Sequence, residues 1–140
     1  MVSGIEGRRI LVVEDEALIA MLVEESLHGG GAQVVGPALC VDEALRLINE
    51  ASAQGAIDAA VLDVRLRDST VLPVADRLAA LGVPFVFTTG YYNVGTNVHA
   101  SAPLLVKPFS PEDLIAALAG LVKAPRSARA GHLSLHIALA

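Results

Sequence analysis

Short apolar segments alternate with segments of helical periodicity along most of the chain. The apolar segments predict five strands, at residues 8–13, 33–36, 57–62, 85–87 and 104–106. In the segments that follow them, apolar residues recur every three or four positions, which is the spacing of an amphipathic helix. Because strands that alternate with helices build parallel sheets with crossover connections, the pattern predicts an α/β fold.

The first and last predicted helices have the clearest boundaries. The helix over residues 16–28 has a predicted apolar face of Leu18, Ile19, Leu22, Val23 and Leu27. Glycines at 29–31 end it, since glycine can adopt the left-handed conformation that closes a helix. The last helix begins near Ser110, a good N-cap, and Pro111 and Asp113 suit its first turn.

Two segments lack a clear pattern. Residues 91–101 contain glycine, asparagine and threonine without a period, so we expect the fourth helix of the fold to be short or mobile. The tail over residues 123–140 starts with helix breakers and ends in alternating apolar residues, which leaves a disordered tail or an added element as alternatives. We therefore assign the domain to residues 1–122, with a core from about residue 8.

The composition favours one folded domain. The chain has 140 residues, of which 54% are hydrophobic and 18% charged, which argues against disorder and against two ordinary domains. A net charge of −5 without a basic stripe argues against nucleic-acid binding. The lone Cys40, the lack of a secretory signal and the lack of a ~18-residue apolar stretch predict a cytoplasmic protein that does not bind membranes.

Polar residues stand at the ends of four of the predicted strands. They are Glu14 and Asp15 after the first, Asp63 after the third, Thr88 and Thr89 after the fourth, and Lys107 after the fifth. The carboxyl ends of parallel strands form the ligand-binding edge of an open sheet, so these groups are expected to converge. Each residue alone has an ordinary structural explanation, as a loop acid, a solvated lysine or a strand-forming threonine.

Together these groups are suited to phosphoryl transfer. Clustered carboxylates repel one another unless a cation intervenes, and Mg²⁺ binds one or two carboxylates and waters. A carboxylate can attack phosphorus while a lysine and a hydroxyl neutralise charge on its oxygens. Only one of Thr88 and Thr89 can point into the site, because successive strand residues face opposite sides. The expected product is an acyl phosphate on Asp63.

Four short motifs carry a family resemblance, namely Val13-Glu14-Asp15-Glu16, Leu62-Asp63-Val64, Phe87-Thr88-Thr89-Gly90 and Lys107-Pro108-Phe109. In this order and spacing, over residues 8–122, the chain resembles the receiver domains of two-component response regulators. The resemblance implies a doubly wound, flavodoxin-like sheet of five parallel strands in the order 2-1-3-4-5.

The resemblance also implies a role for each site residue. Asp63 would be the phosphoacceptor, and Mg²⁺, or alternatively Mn²⁺, would bind Asp15, Asp63, the backbone carbonyl of Arg65 and, through water, Glu14. The switch hydroxyl would be Thr89, and Gly90 would leave room for the phosphoryl group. Lys107 would pair with that group, and the bond before Pro108 would be cis.

Three features depart from the usual receiver pattern. Leu104 stands where most receivers carry an aromatic residue, and Leu66-Arg67 replaces a Met-Pro pair. The segment at residues 87–92 resembles the "FAT GUY" subgroup, in which Tyr91 or Tyr92 would supply the missing aromatic residue. That subgroup is associated with sensor kinases of the HWE or related classes and often has no output domain.

The sequence thus predicts a single-domain response regulator rather than an enzyme. A sensor histidine kinase would phosphorylate Asp63, and the loop after the fourth strand would change the binding of an unidentified downstream protein. One alternative is a small Mg²⁺-dependent phosphatase or phosphotransferase, but Arg65 occupies the position where such enzymes usually carry a second aspartate. The other alternative is an adaptor that works without phosphorylation.

Overall fold

A computed structural model describes residues 3–67, 69–90 and 99–122. Its strands are β1 (Arg9–Val13), β2 (Gln33–Ala38), β3 (Ala59–Asp63), β4 (Arg65–Leu66), β5 (Ser69–Thr70), β6 (Phe85–Thr89) and β7 (Leu104–Val106). Its helices are α1 (Ala17–Gly29), α2 (Val41–Gln54), α3 (Leu72–Ala80) and α4 (Pro111–Leu121).

The main sheet has five parallel strands in the order β2-β1-β3-β6-β7. Because β6 and β7 are its fourth and fifth strands, this is the predicted order 2-1-3-4-5, and the predicted α/β fold is confirmed. The antiparallel pair of β4 and β5 lies outside this sheet and was not predicted. It follows the carboxyl end of β3 directly.

Alternation along the strands divides the core into two layers. In β1, Leu11 and Val13 face the layer that contains α2 and α3, whereas Ile10 and Val12 face the layer of α1 and α4. All five residues of β3 are buried. Helices cover both faces of the sheet, so the carboxyl edge of the strands is left as the place where polar side chains can gather.

The predicted apolar face of α1 is partly wrong. Leu18 and Leu22 are 64% and 53% exposed, and the residues that the helix buries are Ala20, Val23 and Leu27. Val23 and Leu27 belong to the apolar cluster between the sheet, α1 and α4, and Ile19 packs against it. The apolar stripe in the sequence is wider than the contact, and its excess remains on the surface.

The ends of the helices show why the chain turns where it does. The Ser110 hydroxyl accepts a hydrogen bond from the Asp113 amide at 3.0 Å, which confirms the predicted N-cap of α4. After α1, Gly31 has a φ of +86°, a conformation that side-chain-bearing residues rarely adopt. The core also begins before the predicted boundary, since Ile5 is fully buried.

Several predictions concern residues outside the described ranges. They are the short or mobile helix and the aromatic switch at Tyr91 or Tyr92, together with the tail over residues 123–140. Within the described ranges, none of the helices is long and apolar enough to cross a membrane.

Candidate functional site

The carboxyl ends of β1, β3, β6 and β7 meet at one edge of the sheet. Asp63 pairs with Thr88 across β3 and β6, and Thr89 pairs with Val106, the residue before Lys107. A cleft of about 750 Å³ opens at this edge. Its lining consists of Asp15, Glu16, Asp63, Arg65, Leu66, Arg67, Ser69, Thr70, Thr89, Gly90 and Lys107.

Three carboxylates form the acidic part of the site. Glu14, Asp15 and Asp63 each offer an oxygen, and these oxygens lie within 4.8 Å of one another. Glu14 and Asp63 are only 3% and 4% exposed, whereas Asp15 is half-buried. This is the grouping that the strand ends predicted, and Asp15 is the member with the most access to solvent.

Lys107 bridges two of these carboxylates. Its Nζ lies 2.9 Å from Oε1 of Glu14 and 3.3 Å from Oδ2 of Asp63. The Lys107 amide also donates to the Thr89 carbonyl at 2.7 Å, which fixes the base of the side chain beside β6. The bond between Lys107 and Pro108 is cis.

Burial and charge shift the pKa values of the bridged pair. Burial raises the pKa of Glu14, and the nearby Asp63 raises it further, so that it reaches about 7 although Lys107 opposes the shift. Burial alone would lower the pKa of Lys107. The hydrogen bond to Glu14 and the negative charges of both acids outweigh burial and raise that pKa above its ordinary value.

Backbone amides orient the two buried carboxylates. The Glu16 amide donates to Oε2 of Glu14 at 3.0 Å, and the Arg65 amide donates to Oδ1 of Asp63 at 3.3 Å. Each carboxylate therefore has one oxygen held by the backbone and the other held by Lys107. Their orientation is set before any ligand binds.

The two threonines at the end of β6 have different surroundings. Thr89 and Gly90 both line the cleft, whereas Thr88 is not among the described residues that line it. The Thr88 carbonyl accepts a hydrogen bond from the Val64 amide at 2.9 Å, which ties the end of β3 to β6. Thr89 is therefore the threonine that lies beside Asp63 in the cleft.

Comparisons with known proteins agree with this geometry. No family model matches the chain. The chain is 35% identical, over 124 residues, to the phyllosphere-induced regulator PhyR of Methylorubrum extorquens. The aligned region covers 86% of this chain and 45% of PhyR. The chain spans about half the length of the curated relatives it matches.

Some of the solved structures match over nearly their full length. SdrG from Sphingomonas melonis is 40% identical with a TM-score of 0.68, over 86% of this chain and 98% of SdrG. The HemR receiver domain from Leptospira biflexa is 26% identical with a TM-score of 0.71, over 85% of this chain and 97% of that one. The chain belongs to the response regulator receiver domains.

A further solved receiver carries ligands in its structure. The response regulator TrrA from Thermotoga maritima, solved in complex with Mg²⁺ and beryllofluoride, is 26% identical with a TM-score of 0.67, over 81% of this chain and 98% of TrrA. In the receiver domain described here, three carboxylates within 4.8 Å form a donor set that a hard cation prefers. The site is thus consistent with Mg²⁺ binding.

The sequence pattern did not predict one wall of the receiver cleft. β4, β5 and Arg67 between them line the cleft, whereas only the Arg65 carbonyl was expected there. The strand residues in the lining are Arg65, Leu66, Ser69 and Thr70. Leu66 lies between the two arginines and is buried in the layer of α2 and α3. With two residues in each strand, β4 and β5 are too short to leave a periodic signal in the sequence.

An apolar groove of about 800 Å³ lies beside the receiver site. It runs between α1 and α4 and is lined by Ile19, Leu22, Val23, Glu25, Ser26, Gly29, Lys107, Pro108, Phe109, Pro111 and Ile115. Leu22, which lines this groove, belongs to the apolar face that the sequence predicts for the first helix. Lys107 lines both the groove and the cleft, so the two surfaces adjoin at this residue.

Proposed function

We propose that this receiver domain accepts a phosphoryl group on Asp63 from a sensor histidine kinase. The observation that carries the proposal is the position of Lys107, whose ammonium bridges Glu14 and Asp63 within a cluster of three carboxylates. A lysine held against a buried aspartate at the mouth of a parallel sheet can neutralise a phosphoryl group that forms there.

The proposed reaction is a displacement at phosphorus. A carboxylate oxygen of Asp63 attacks, the new O–P bond forms, and the P–N bond of the kinase phosphohistidine breaks. The electron pair of that bond leaves with the imidazole. Lys107 then exchanges its contact with Glu14 for one with the phosphoryl oxygens, and the Thr89 hydroxyl donates to another of them.

The carboxylate cluster would hold the cation that this reaction uses. We assign Asp15, Asp63 and the Arg65 carbonyl as ligands, with Glu14 acting through a water molecule, and Mg²⁺ as the ion, with Mn²⁺ as the alternative. When bound, the ion would offset charge on the phosphoryl oxygens. The half-buried Asp15 supports this assignment, because Asp15 is more open to solvent than Glu14 or Asp63.

The groove between α1 and α4 is the proposed docking surface for the kinase. A protein that brings a phosphohistidine to Asp63 must also cover the adjoining surface, and the groove shares Lys107 with the cleft. Exposed Leu22 on α1 and the neighbouring Ile19 offer apolar contacts in the groove. The resemblance of residues 87–92 to the FAT GUY subgroup favours a kinase of the HWE or a related class.

We further propose that the phosphorylated domain acts by changing what it binds, in the cytoplasm, rather than by turning over a separate substrate. Arg65 lines the cleft where a phosphatase of this chemistry would usually carry a second aspartate. A side chain that is always protonated cannot serve as the general acid and base that hydrolysis of the intermediate needs. The phosphoryl group would thus persist long enough to act as a signal.

Incubation with acetyl phosphate and Mg²⁺, followed by intact mass spectrometry, tests the proposal. The wild type should gain one phosphoryl group, and Asp63→Asn should gain none. Asp42→Asn, which changes an exposed aspartate at the start of α2, is the matched control and should be labelled like the wild type. Equal labelling of Asp63→Asn and the wild type would mean that another residue is the acceptor. Labelling of the wild type in the presence of a chelator would mean that the reaction does not need a cation.

A further inference from the structure

The pair of β4 and β5 is fixed against the receiver core rather than loosely attached. Leu66 is 4% exposed, and the Val71 amide donates to the Val64 carbonyl at 2.9 Å, which closes the segment on itself. Arg65 in β4 and Arg67 directly after it are both exposed, whereas Leu66 between them is buried. Both arginines line the cleft that contains Asp63.

The cations of the cleft differ in their contacts. The Lys107 ammonium is engaged by Glu14 and Asp63, whereas Arg65 bonds to Asp63 only through its backbone amide. The exposed Arg67 makes no hydrogen bond or ion pair with another residue in the described ranges, and the hydroxyl residues Ser69 and Thr70 line the cleft with it. The sequence places Asp68 next to Arg67, so the segment over residues 65–70 has a net charge of +1.

The charges around Asp63 act on an incoming anionic phosphodonor. Glu14, Asp15 and Asp63 repel the anion, and Lys107 and a bound cation would offset part of this repulsion. A guanidinium at the rim offsets this repulsion and offers several donors to phosphoryl oxygens. The offset is larger for a donor with more negative charge.

We propose that Arg67 is a specificity residue that binds the phosphoryl group of the incoming donor at the rim of the cleft and favours dianionic donors. This inference rests on the proposed phosphorylation of Asp63. In the reaction with acetyl phosphate, the Asp63 oxygen forms the new O–P bond and acetate leaves with the electron pair of the broken P–O bond. With phosphoramidate the P–N bond breaks, and ammonia leaves after protonation.

Initial phosphorylation rates with these two donors test the role of Arg67. At neutral pH acetyl phosphate is a dianion, whereas phosphoramidate carries one net negative charge. With Mg²⁺ present, Arg67→Gln should slow labelling by acetyl phosphate about two- to five-fold, which is the range expected for an exposed ion contact. It should slow labelling by phosphoramidate clearly less. Arg67→Lys should keep most of the preference for acetyl phosphate over phosphoramidate, and added salt should reduce that preference in the wild type.

The control removes the same charge elsewhere. Arg77 on α3 is exposed and contacts Asn49, and Arg77→Gln should leave the ratio of the two rates unchanged. The inference is wrong if Arg67→Gln slows labelling by acetyl phosphate and by phosphoramidate equally. It is also wrong if Arg77→Gln changes the ratio of the two rates as much as Arg67→Gln does. If neither donor labelled the wild type, the proposed function itself would fail, whereas labelled proteins with an unchanged ratio would refute only the role of Arg67.

Discussion

The ammonium of Lys107 lies closer to Glu14, at 2.9 Å, than to Asp63, at 3.3 Å. The lysine that is proposed to pair with a phosphoryl group is therefore held in the unphosphorylated domain by a neighbouring glutamate. Glu14 is nearly fully buried, and its pKa is raised to about 7 by burial and by Asp63. For Glu14 and Lys107, the cost of burying their charges is thus close to the attraction between them. A new negative charge on Asp63 would shift this balance.

The raised pKa of Glu14 predicts a pH dependence of stability. A carboxyl group with a higher pKa in the folded state than in the unfolded state stabilises the fold while it is protonated. That stability is complete below about pH 4.5 and is lost as pH rises through about 7. In chelator, the wild type should therefore lose about 1–3 kcal/mol relative to Glu14→Gln between pH 5 and pH 8. Urea unfolding of both proteins measures this, and parallel pH profiles would contradict it.

Mg²⁺ should stabilise the domain through Asp15. At 100 times its dissociation constant, a ligand of the folded state adds about 2.7 kcal/mol to the free energy of unfolding. Asp15→Asn should lose most of this gain, and in chelator it should be as stable as the wild type or more so, because one repulsive charge is gone. Asp42→Asn, which removes an exposed carboxylate outside the cleft at the start of α2, is the control. An equal response of both variants in a Mg²⁺ thermal-shift titration would remove Asp15 from the site.

The two threonines of β6 should respond differently to beryllofluoride, a phosphoryl mimic. Thr89 lines the cleft beside Asp63, so Thr89→Ala should lose about 1.5–3 kcal/mol of the stabilisation that the mimic adds in the presence of Mg²⁺. Thr88→Ala should keep that added stabilisation, although the loss of a buried side chain will lower the starting stability. Thermal unfolding with and without the mimic measures both, and the reverse order would mean that Thr88 is the switch.

The groove between α1 and α4 predicts a separation between kinase-dependent and small-molecule phosphorylation. Leu22→Glu places a charge in the groove and should slow phosphotransfer from a kinase that labels the wild type by about ten-fold or more. Its labelling by acetyl phosphate should be unchanged, because Leu22 does not line the cleft. Leu81→Glu, at an exposed leucine that follows α3, is the control. Equal transfer to both variants would place the kinase elsewhere.

The sequence was sufficient to predict the fold and the meeting of the strand ends. Buried strands leave long apolar runs, and each run here ends in a residue whose chemistry is unusual for a core. The order of the strands in the sheet determines which strand ends are neighbours. It brings Glu14, Asp15, Asp63 and Lys107 together at one edge. The order itself came from the family resemblance, because periodicity does not specify which strands are neighbours.

Other features depend on packing that the pattern does not encode. Leu18 and Leu22 have the apolar character of core residues, but they are exposed, and α1 packs on the core through Val23 and Leu27. The pair of β4 and β5 has two residues in each strand, too few for a periodic signal to stand out. The burial of Ile5 depends on a contact with the distant helices α1 and α4, which no local pattern around Gly4 and Gly7 indicates.

Chemical mapping of the phosphorylated residue tests directly whether Asp63 is the phosphoacceptor. Borohydride reduces an acyl phosphate to an alcohol, so a phosphorylated aspartate becomes homoserine and is located by peptide mass spectrometry. After phosphotransfer with Mg²⁺, we expect homoserine at position 63 alone, and none when Asp63→Asn is treated in the same way. Homoserine at another aspartate, such as Asp15, or an unreduced phosphoryl group on a histidine, would contradict the assignment of Asp63 as the phosphoacceptor.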